Sequence, residues 1–551
     1  MMLIKFNCKP YETFPMKALT AAEMREVDRL TTERVGIPSL QLMETAGKQA
    51  ADAVCRVVAG REQVRVCVLC GKGNNGGDGF VVARYLKEAK LPTRAILFGS
   101  RADVHGDAGT NLARWLESGG ELEVVEGEGD WERVWPGVCA ANVIVDAMLG
   151  TGVRGGPAGT IKQAIGAINS RSAGATATWP ALILAVDTPS GLPADDEPPA
   201  GLVLFAHRTV TFTAPKVGQL ITAGAAACGA LDVVDIGSPA ELIEETGKGA
   251  LRWAGPDEFR AIQLVRAADS YKGTFGHALL LAGSLGKSGA AILAGRAALR
   301  AGAGLVTVAT PETVQPLVAG GAPELMTEPM KATKSGALAL RGLVDGTFCE
   351  LEEGKNVLAI GPGLGTHRQT QDFIRTVVAQ TELPVVLDAD GLNAFADAGT
   401  LLRKRKTKYL CITPHPGEMA RLLGSSSAKV QLDRLELAKD AARRWNAHVV
   451  LKGFHTILAA PDGSTWVNTS GGPGLAKGGS GDVLTGVLAA LTAQFGTKDW
   501  IRVLALGVFL HGKAANILSQ EQEPSGILAH EVAERIPEAR EQLLREIQYG
   551  G

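Results

Sequence analysis

The sequence predicts an α/β protein of two domains, from its length, its glycine content and the order of its predicted elements. At 551 residues the chain is too long for one ordinary core, at roughly 150 residues per domain. Short β-rich runs alternate with helical stretches from end to end, which is typical of parallel sheets covered by helices. Glycine contributes 68 residues, well above the usual level of about 7%, and indicates many tight turns.

Composition and charge exclude several classes of protein. The net charge of -2 lacks the basic footprint of a nucleic-acid binder, and no run approaches the roughly 18 apolar residues of a membrane span. We therefore expect neither a nucleic-acid nor a membrane partner. The N-terminal segment lacks a sustained apolar core, so we expect no signal peptide and a cytoplasmic location. Cys67 and Cys70 lie inside VRVCVLC, and we interpret them as buried strand residues.

The first half of the chain begins with a capping box, Thr20 to Glu23, which opens one helix. A second helix is predicted from about Leu40 to Val58. Five strands are predicted after it, at about 64–70, 93–99, 142–147, 181–187 and 209–215.

The composition shifts between about Gly237 and Pro256, where charges, glycines and prolines occur without a strand pattern. We place the domain boundary there, giving domains 1–245 and 246–551. A second series of strands is predicted after the shift, at about 277–283, 305–310, 356–361, 384–390, 409–413 and 448–453.

A polar glycine loop, Gly71-Lys-Gly-Asn-Asn-Gly-Gly-Asp-Gly79, follows the first predicted strand and precedes a helix. Its glycine spacing alone fits a dinucleotide fingerprint, in which the helix N-terminus holds a phosphate. That fingerprint also needs a carboxylate at the end of the next strand, but this strand ends in Gly-Ser-Arg and the first carboxylate is Asp103. A standard hydride-transfer site is therefore disfavoured. The two Asn amides and the Asp exceed what a structural turn needs.

Two more predicted strands end in a carboxylate that is followed by a glycine-containing loop. Asp146 precedes the glycine loop Gly150-Thr-Gly152, and Asp187 precedes Thr-Pro-Ser190-Gly. In open α/β sheets, ligands bind outside the carboxyl ends of the strands. Each Asp alone also suits a helix cap or a turn, but three such loops together favour one shared site.

The motifs GKGNNGGDG, VDAMLGTG and VDTPSG resemble the NAD(P)HX epimerase family, also called the YjeF N-terminal domain family, over residues 17–240. The resemblance implies a Rossmann-like three-layer sandwich that interconverts the R and S hydrates of NADH and NADPH at ring carbon 6. It implies a potassium ion held by Asn75, Asp146 and Ser190, whose oxygens suit a hard cation. The implied substrate contacts are Asn74, Asn75, Gly76, Gly77, Asp78, Gly150, Thr151, Gly152, Val153, Arg154, Gly155, Gly156 and Asp187.

We further assign Asp187 a part in proton transfer, since it is the only carboxylate in its strand-end loop. The sequence departs from the family pattern at Thr188, where isoleucine is expected, and this puts local packing in question.

A second glycine loop, Lys477-Gly-Gly-Ser-Gly-Asp482, runs into an apolar helical pattern. Backbone N–H groups and the helix dipole there would form an anion hole for a transferring phosphoryl group, with Asp482 able to accept a proton from an attacking hydroxyl. A glycine turn with an Asp cap is the structural alternative. A separate stretch, Gly283 to Ser288, looks like a P-loop but carries Leu281 where that loop requires glycine.

The second half resembles the NAD(P)HX dehydratase family over residues 252–545, through KGTFGHALLLAGS, IGPGLG, LDADGLNA, TPHPGEMARL and GGSGDVLTG. The resemblance implies a ribokinase-like α/β fold. Gly472 replaces the asparagine expected before the glycine loop. The implied hydrate contacts are Gly363, His415 and the catalytic Asp482; the implied nucleotide contacts are Lys452, Gly453, Phe454, His455, Thr456 and Gly481.

Together these features predict a bifunctional nicotinamide-nucleotide repair enzyme that uses ADP. The expected cofactors are K⁺ at the epimerase site and Mg²⁺ with ADP at the dehydratase site, and the expected substrates are NADHX and NADPHX. A homo-oligomer is also expected. Two alternatives stay open, namely an ordinary ribokinase-like small-molecule kinase and a first half that serves only as a binding module.

Overall fold

The computed structural model describes residues 17–152, 155–173, 182–221, 223–248, 251–343, 347–396 and 398–549. The N-terminal segment on which the expectation of no signal peptide rests, and the predicted site residues Val153 and Arg154, lie outside them. The chain divides into two compact units, Lys17–Gly249 and a second that starts at Ala250. Each unit is built around its own largely parallel sheet, so the predicted α/β class is confirmed.

The first unit has a parallel sheet with strand order β3-β2-β1-β4-β5-β6-β7 in the described part of the chain. Its strands are β1 Val66–Cys70, β2 Thr93–Phe98, β3 Glu121–Val125, β4 Val143–Ala147, β5 Leu182–Val186, β6 Arg208–Phe212 and β7 Ala230–Val234. Its helices are α1 Ala21–Leu30, α2 Ser39–Val58, α3 Asn74–Glu88, α4 Gly106–Glu117, α5 Glu128–Cys139, α6 Gly159–Ala173, α7 Val217–Ile221 and α8 Ala240–Thr246.

Helices cover both faces of this sheet, and every residue of β1, which is apolar throughout, is therefore buried. Side chains of α2, α3 and α4 pack on one face, and side chains of α5 and α6 pack on the other. Cys67 and Cys70 project to opposite faces and are both buried, free thiols, as predicted. The sequence analysis missed β3 and β7, because these two edge strands carry polar residues and only their last residue is buried.

The second unit has a ten-stranded sheet with strand order β11-β10-β9-β12-β13-β14-β15-β16-β17-β8 among the described residues. Its strands are β8 Leu251–Trp253, β9 His277–Leu281, β10 Leu305–Pro311, β11 Met326–Met330, β12 Val357–Ile360, β13 Val385–Leu387, β14 Leu410–Ile412, β15 His448–Leu451, β16 Thr456–Ala459 and β17 Thr465–Asn468. Its helices are α9 Ser288–Arg300, α10 Gln315–Gly321, α11 Thr347–Glu352, α12 Arg368–Gln380, α13 Asp390–Asn393, α14 Pro416–Leu423, α15 Ser427–Leu432, α16 Arg434–Trp445, α17 Ser480–Phe495, α18 Trp500–Glu521 and α19 Ala529–Tyr549.

Strand β16 runs antiparallel to both its neighbours, and the other pairings are parallel. One expectation is wrong: the stretch between Gly237 and Pro256 was expected to contain no strand, yet β8 lies within it. Three residues are too few to produce a visible alternation. β8 forms because β17 offers it a parallel edge.

Helices α9, α17, α18 and α19 build the main apolar core of the second unit. Among the described residues, α18 is the one helix long and apolar enough to cross a membrane, and 78% of its apolar window is buried inside the structure. Its apolar side chains belong to this core. Helices α17 and α9 approach closely at Gly486, where a Cβ atom would lie 2.0 Å from the carbonyl oxygen of Ala294.

This close approach predicts that Gly486→Ala destabilises the protein, because the added methyl group forces the two helices apart. We expect a loss of about 1–3 kcal/mol, typical of overpacking a core, measured by urea denaturation of the full chain. Gly320→Ala in α10 is the matched control, since a Cβ atom there would meet nothing within 4 Å and alanine favours the helix by about 0.5–1 kcal/mol. Equal stability of the two variants would contradict the packing argument.

Candidate functional site

Three loops meet at the carboxyl edge of the first sheet, after the neighbouring strands β1, β4 and β5. The side-chain amide of Asn75 donates to the carbonyl of Leu149 at 3.0 Å, and the hydroxyl of Ser190 donates to Asp146 Oδ1 at 2.6 Å. These contacts link all three predicted motifs. The loops approach so closely that a Cβ atom on Gly71 would lie 1.9 Å from the Met148 carbonyl oxygen, which explains the glycine there.

Asp146 is a fully buried carboxylate with no cationic side chain bonded to it among the described residues. Its oxygens accept hydrogen bonds from the Ser190 hydroxyl, the Ser190 backbone N–H at 2.7 Å and the Met148 N–H at 3.3 Å. Burial nevertheless raises its pKa to about 6. Nearby, the buried Asn75 Oδ1 has no hydrogen-bond partner in the described part of the chain. A buried, unpartnered oxygen in the same loop cluster as a carboxylate without a cationic partner fits a hard cation.

Asp187 lies at the end of β5 in a left-handed backbone conformation, with φ of 60°, which is strained for a residue other than glycine. Its Oδ1 accepts from the Lys216 ammonium at 2.5 Å and from the Thr211 hydroxyl at 3.0 Å. Gln219 Nε2 donates to the Asp187 carbonyl at 2.6 Å. Both the main chain and the side chain of Asp187 are therefore fixed.

The sequence analysis missed Lys216, Thr211 and Gln219 as site residues. It placed Thr211 in a predicted strand and gave no role to Lys216 and Gln219, which follow that strand. The side chain of Lys216 is 1% exposed, and it also donates to Thr211 and to the Phe212 carbonyl. A lysine four residues after β6, at the edge where the carboxylates lie, was the available signal. Thr188, the departure from the family pattern, joins the same network by accepting from Gln219 Nε2 at 3.2 Å.

Two further carboxylates lie near this ion pair. Burial raises the pKa of Asp78 well above its usual value, and the charges of Asp187 and Asp28 raise it further. Burial also raises the pKa of Asp28, on α1, to about 6. The site therefore combines a carboxylate paired with lysine and a carboxyl group that favours its protonated form, an arrangement suited to acid–base chemistry.

The remaining predicted residues of the first site lie in the first turn of α3 and in the loop that follows β4. Asn74 is exposed at the first turn of α3, and Thr151 and Gly152 form a turn after β4. Gly76 would place a Cβ atom 1.8 Å from the Gly71 carbonyl oxygen, and Gly156 would place one 2.5 Å from the Ala200 carbonyl oxygen. Other predicted members are Gly77, buried in α3, Gly150, packed on Asn75, and Gly155, at a positive φ of 84°.

In the second unit, Asp482 lies in the first turn of α17, directly after the glycine loop. Burial raises its pKa to about 6, and the negative charges of Asp388, Asp390 and Glu418 contribute to the rise while Lys452 opposes it. The neighbouring Ser480 hydroxyl is buried and has no partner among the described residues. A helix N-terminus with an unpartnered hydroxyl suits an anionic ligand.

Lys452 faces the carboxylates rather than open solvent. Its ammonium lies 2.7 Å from Asp388 Oδ1 and 3.8 Å from Glu418 Oε2. Although burial opposes it, these two carboxylates raise the pKa of Lys452. The other oxygen of Asp388 accepts from the Thr485 hydroxyl at 2.7 Å. Gly481 packs against this ion pair, since a Cβ atom there would lie 3.4 Å from the Lys452 ammonium.

The sequence analysis missed Asp388, Glu418 and Thr485 as individual site residues. They lie at the carboxyl ends of β13 and β14 and inside α17, at the same edge as Lys452 after β15. Asp388 is 1% exposed, so its charge is held by Lys452 and Thr485. The signal available was the polar sequence that follows each apolar run.

Gly363 and His415 lie beyond the carboxyl ends of β12 and β14, the two strands that flank β13. Gly363 has a positive φ of 64°, and its carbonyl accepts from the Ser284 hydroxyl at 2.7 Å. His415 caps α14, because its Nδ1 accepts from the Gly417 N–H at 3.0 Å. The excluded P-loop stretch thus borders this edge, where Lys287 also lies 3.2 Å from Asp390 Oδ2.

The loop 452–456 connects β15 to β16. Phe454 is 56% exposed, and its ring stacks on His455 with centroids 3.9 Å apart. The Thr456 hydroxyl lies 3.5 Å from the Gly453 carbonyl. The loop begins at Lys452, which pairs with Asp388, and it therefore adjoins the cluster of carboxylates around Asp482.

Comparison with known proteins matches both units. The family described as YjeF-related protein N-terminus matches residues 39–218, and the family described as NAD(P)H-hydrate dehydratase matches residues 278–538. A solved structure of an ADP/ATP-dependent NAD(P)H-hydrate dehydratase from Bacillus subtilis is 35% identical, covers 53% of this chain and 98% of its own, and has a TM-score of 0.46.

Full-length relatives span both units. The bifunctional NAD(P)H-hydrate repair enzyme Nnr of Moorella thermoacetica is 40% identical over 97% of this chain and 98% of its own length. The protein of the same name from Thermofilum pendens is 34% identical over 95% of this chain and 96% of its own. Because the likeness is continuous across both units, the chain belongs to the family of bifunctional NAD(P)H-hydrate repair enzymes.

Proposed function

We propose that this chain repairs hydrated nicotinamide nucleotides in two steps, with an epimerase in residues 1–245 and an ADP-dependent dehydratase in residues 246–551. The observation that carries the proposal is Asp482 at the N-terminus of α17, beside the Lys452–Asp388 ion pair. In this position a carboxylate can take a proton from a hydroxyl while the helix N-terminus receives a phosphoryl group. The epimerase supplies the S hydrate that the dehydratase consumes.

In the epimerase, Asn75, Asp146 and Ser190 would hold a potassium ion. Their oxygens are of the kind that such an ion prefers, and the buried Asn75 Oδ1 lacks a partner among the described residues. The ion would supply the positive charge that offsets the buried Asp146. It would also keep the three strand-end loops in register around the substrate.

Asp187 transfers protons at the hydrated ring carbon. Its Oδ1 is engaged by Lys216 and Thr211, so its other oxygen is the one presented to the substrate. Asp78, whose pKa is raised by burial, supplies the complementary proton. The C6–O bond breaks as the ring nitrogen lone pair forms a C=N bond, and Asp78 gives its proton to the departing hydroxyl, which leaves as water. A water molecule then adds to the opposite face of C6 and gives a proton to Asp187, and proton exchange with solvent returns both carboxyl groups to their starting states.

In the dehydratase, Asp482 removes the proton of the ring hydroxyl. The hydroxyl oxygen then attacks the β-phosphate of ADP, and AMP leaves. Phosphate then departs from C6, pushed by the ring nitrogen, and loss of a proton from C5 restores the dihydronicotinamide. Mg²⁺ would come with the nucleotide, held chiefly by its phosphates and by one or two carboxylates. The Mg–ADP complex is itself anionic, so the carboxylates Asp388, Asp390 and Glu418 near Asp482 would serve as ligands of the metal rather than as counter-charges of the complex.

The proposed function is tested by incubating the full chain with mixed R and S hydrates and ADP, with ATP as a parallel sample. Restored dihydronicotinamide absorbance and complete consumption of both hydrates are the expected results. An ordinary small-molecule kinase would instead accumulate a stable phosphorylated product without restoring the absorbance.

Asp146→Ala should slow epimerisation and reduce its dependence on potassium, because it removes a charged ligand from the cation site. We expect a loss of at least the roughly 10- to 100-fold that follows removal of a metal-site partner. Rates are measured chromatographically across potassium concentrations. Asp232→Ala, which removes an edge-strand carboxylate bound to Arg208, is the control. A wild-type potassium response in Asp146→Ala would remove the cation assignment.

Asp187→Asn should lower the epimerisation rate by about 10²–10⁴, the usual cost of losing a general acid or base. The amide keeps the shape of the side chain but cannot accept the proton. Asp103→Asn, at an exposed carboxylate after β2, should leave the rate unchanged. A change confined to KM would show that Asp187 only binds the substrate.

Asp482→Asn should abolish ADP-dependent restoration of NADH while interconversion of the hydrates persists, because each unit has its own sheet and its own carboxylate cluster. In the wild type, dehydration should weaken as the pH falls through about 6, since Asp482 acts in its ionised form and its pKa is about 6. Asp462→Asn, in a turn beyond β16, serves as the control. Loss of epimerisation in a folded Asp482→Asn protein would mean that the two activities share a site.

A further inference from the structure

Arg434, the first residue of α16, is buried beneath the loop 452–456. It is 7% exposed, and its guanidinium donates to the carbonyls of Phe454, His455 and Leu451, the last two at 2.9 Å and 3.4 Å. One side chain therefore holds three carbonyl groups on both sides of the loop. Arginine suits this role because its planar fork carries five donors in fixed directions.

The charge of Arg434 has no acidic partner within the described part of the chain. No carboxylate among the described residues lies close enough to form an ion pair with its guanidinium. The hydrogen bonds of the guanidinium all go to neutral backbone carbonyls in that part of the chain. Burial lowers the pKa of Arg434 to about 10, so the group stays charged at neutral pH. A buried cation without a counter-charge is costly, and an anionic ligand at the loop would reduce that cost.

The loop is shaped to accommodate the guanidinium. Gly453 has a φ of 152°, and a Cβ atom there would lie 2.9 Å from an Nη atom of Arg434. His455 adopts a left-handed conformation with a φ of 54°, which persists only where surrounding contacts enforce it. Arg434 supplies those contacts on one side of the loop.

We propose that Arg434 is the positioning residue of the nucleotide-binding loop: it braces residues 452–456 in their binding conformation and supplies the positive charge that attracts the phosphates of a nucleoside diphosphate. The inference rests on the proposed dehydratase function, and it adds a residue that lies outside every motif of the sequence analysis. Arg434 acts through the loop, so it governs nucleotide affinity rather than the chemical step.

Titration calorimetry of the full chain with Mg-ADP tests this. Arg434→Gln should weaken ADP binding by about tenfold or more, since hydrogen bonds from a charged group are lost, while kcat at saturating ADP stays within about twofold. Arg434→Lys keeps the charge without the fork, so it should bind ADP with intermediate affinity. The dependence of Kd on NaCl should flatten in Arg434→Gln but not in Arg434→Lys, because of these two variants only the first removes the charge next to the nucleotide loop.

Arg405 offers the matched control. Its guanidinium likewise donates to backbone carbonyls, those of Leu402, Trp445 and Asn446, but none belongs to the nucleotide loop. Arg405→Gln should lower thermal stability without changing ADP affinity. Wild-type affinity in Arg434→Gln, equal losses of affinity in the two Gln variants, or a fall in kcat with unchanged Kd would each overturn the role. If the wild-type protein binds neither ADP nor ATP, the proposed dehydratase function itself fails.

Discussion

Burying a lysine ammonium costs free energy unless a carboxylate lies within reach, and both units of this chain meet that condition at the carboxyl edge of their sheets. In the first unit Lys216 pairs with Asp187. In the second, Lys452 pairs with Asp388. A threonine hydroxyl completes each pair. Thr211 accepts a hydrogen bond from Lys216, and Thr485 donates one to Asp388. Burial is the main cause of the raised pKa values of Asp28, Asp78 and Asp482, and the charge of the nearby lysine opposes the rise.

Charges that the protein leaves uncompensated indicate where ligands belong. Among the described residues, Asp146 accepts only from neutral donors, and Arg434 donates only to neutral carbonyls. The first suits a cation and the second suits an anion. Paired charges in the same units serve a different purpose, since they hold side chains in place whether or not a ligand is bound.

The sequence predicted central strands such as β1, because the run VCVLC is apolar throughout, and it predicted which loops follow them. It did not predict β3, β7, β8, β11 or β17. Strands β3, β7 and β8 form only because a neighbouring edge is available, and β17 is buried but only four residues long, too short to show a pattern. The same limit applies to the sites. Asn75, Asp146 and Ser190 were found because they lie in glycine-rich motifs, whereas Lys216 and Arg434 lie in ordinary helical or strand-end sequence. Their roles depend on which carbonyls and carboxylates the fold brings within hydrogen-bonding distance.

The two departures from the family pattern illustrate how context decides the effect of a substitution. Thr188 is 1% exposed, and its hydroxyl accepts from Gln219, the residue that also holds the Asp187 carbonyl. A β-branched apolar side chain would fill similar volume but leave that amide proton without this acceptor. Gly472 has an extended φ of -174°, and a Cβ atom there would meet nothing within 4 Å. The backbone and the available space therefore admit an asparagine at 472 without any rearrangement of the fold. Thr188 takes part in the network that holds Asp187, whereas the side chain missing at Gly472 leaves the packing of the fold unchanged.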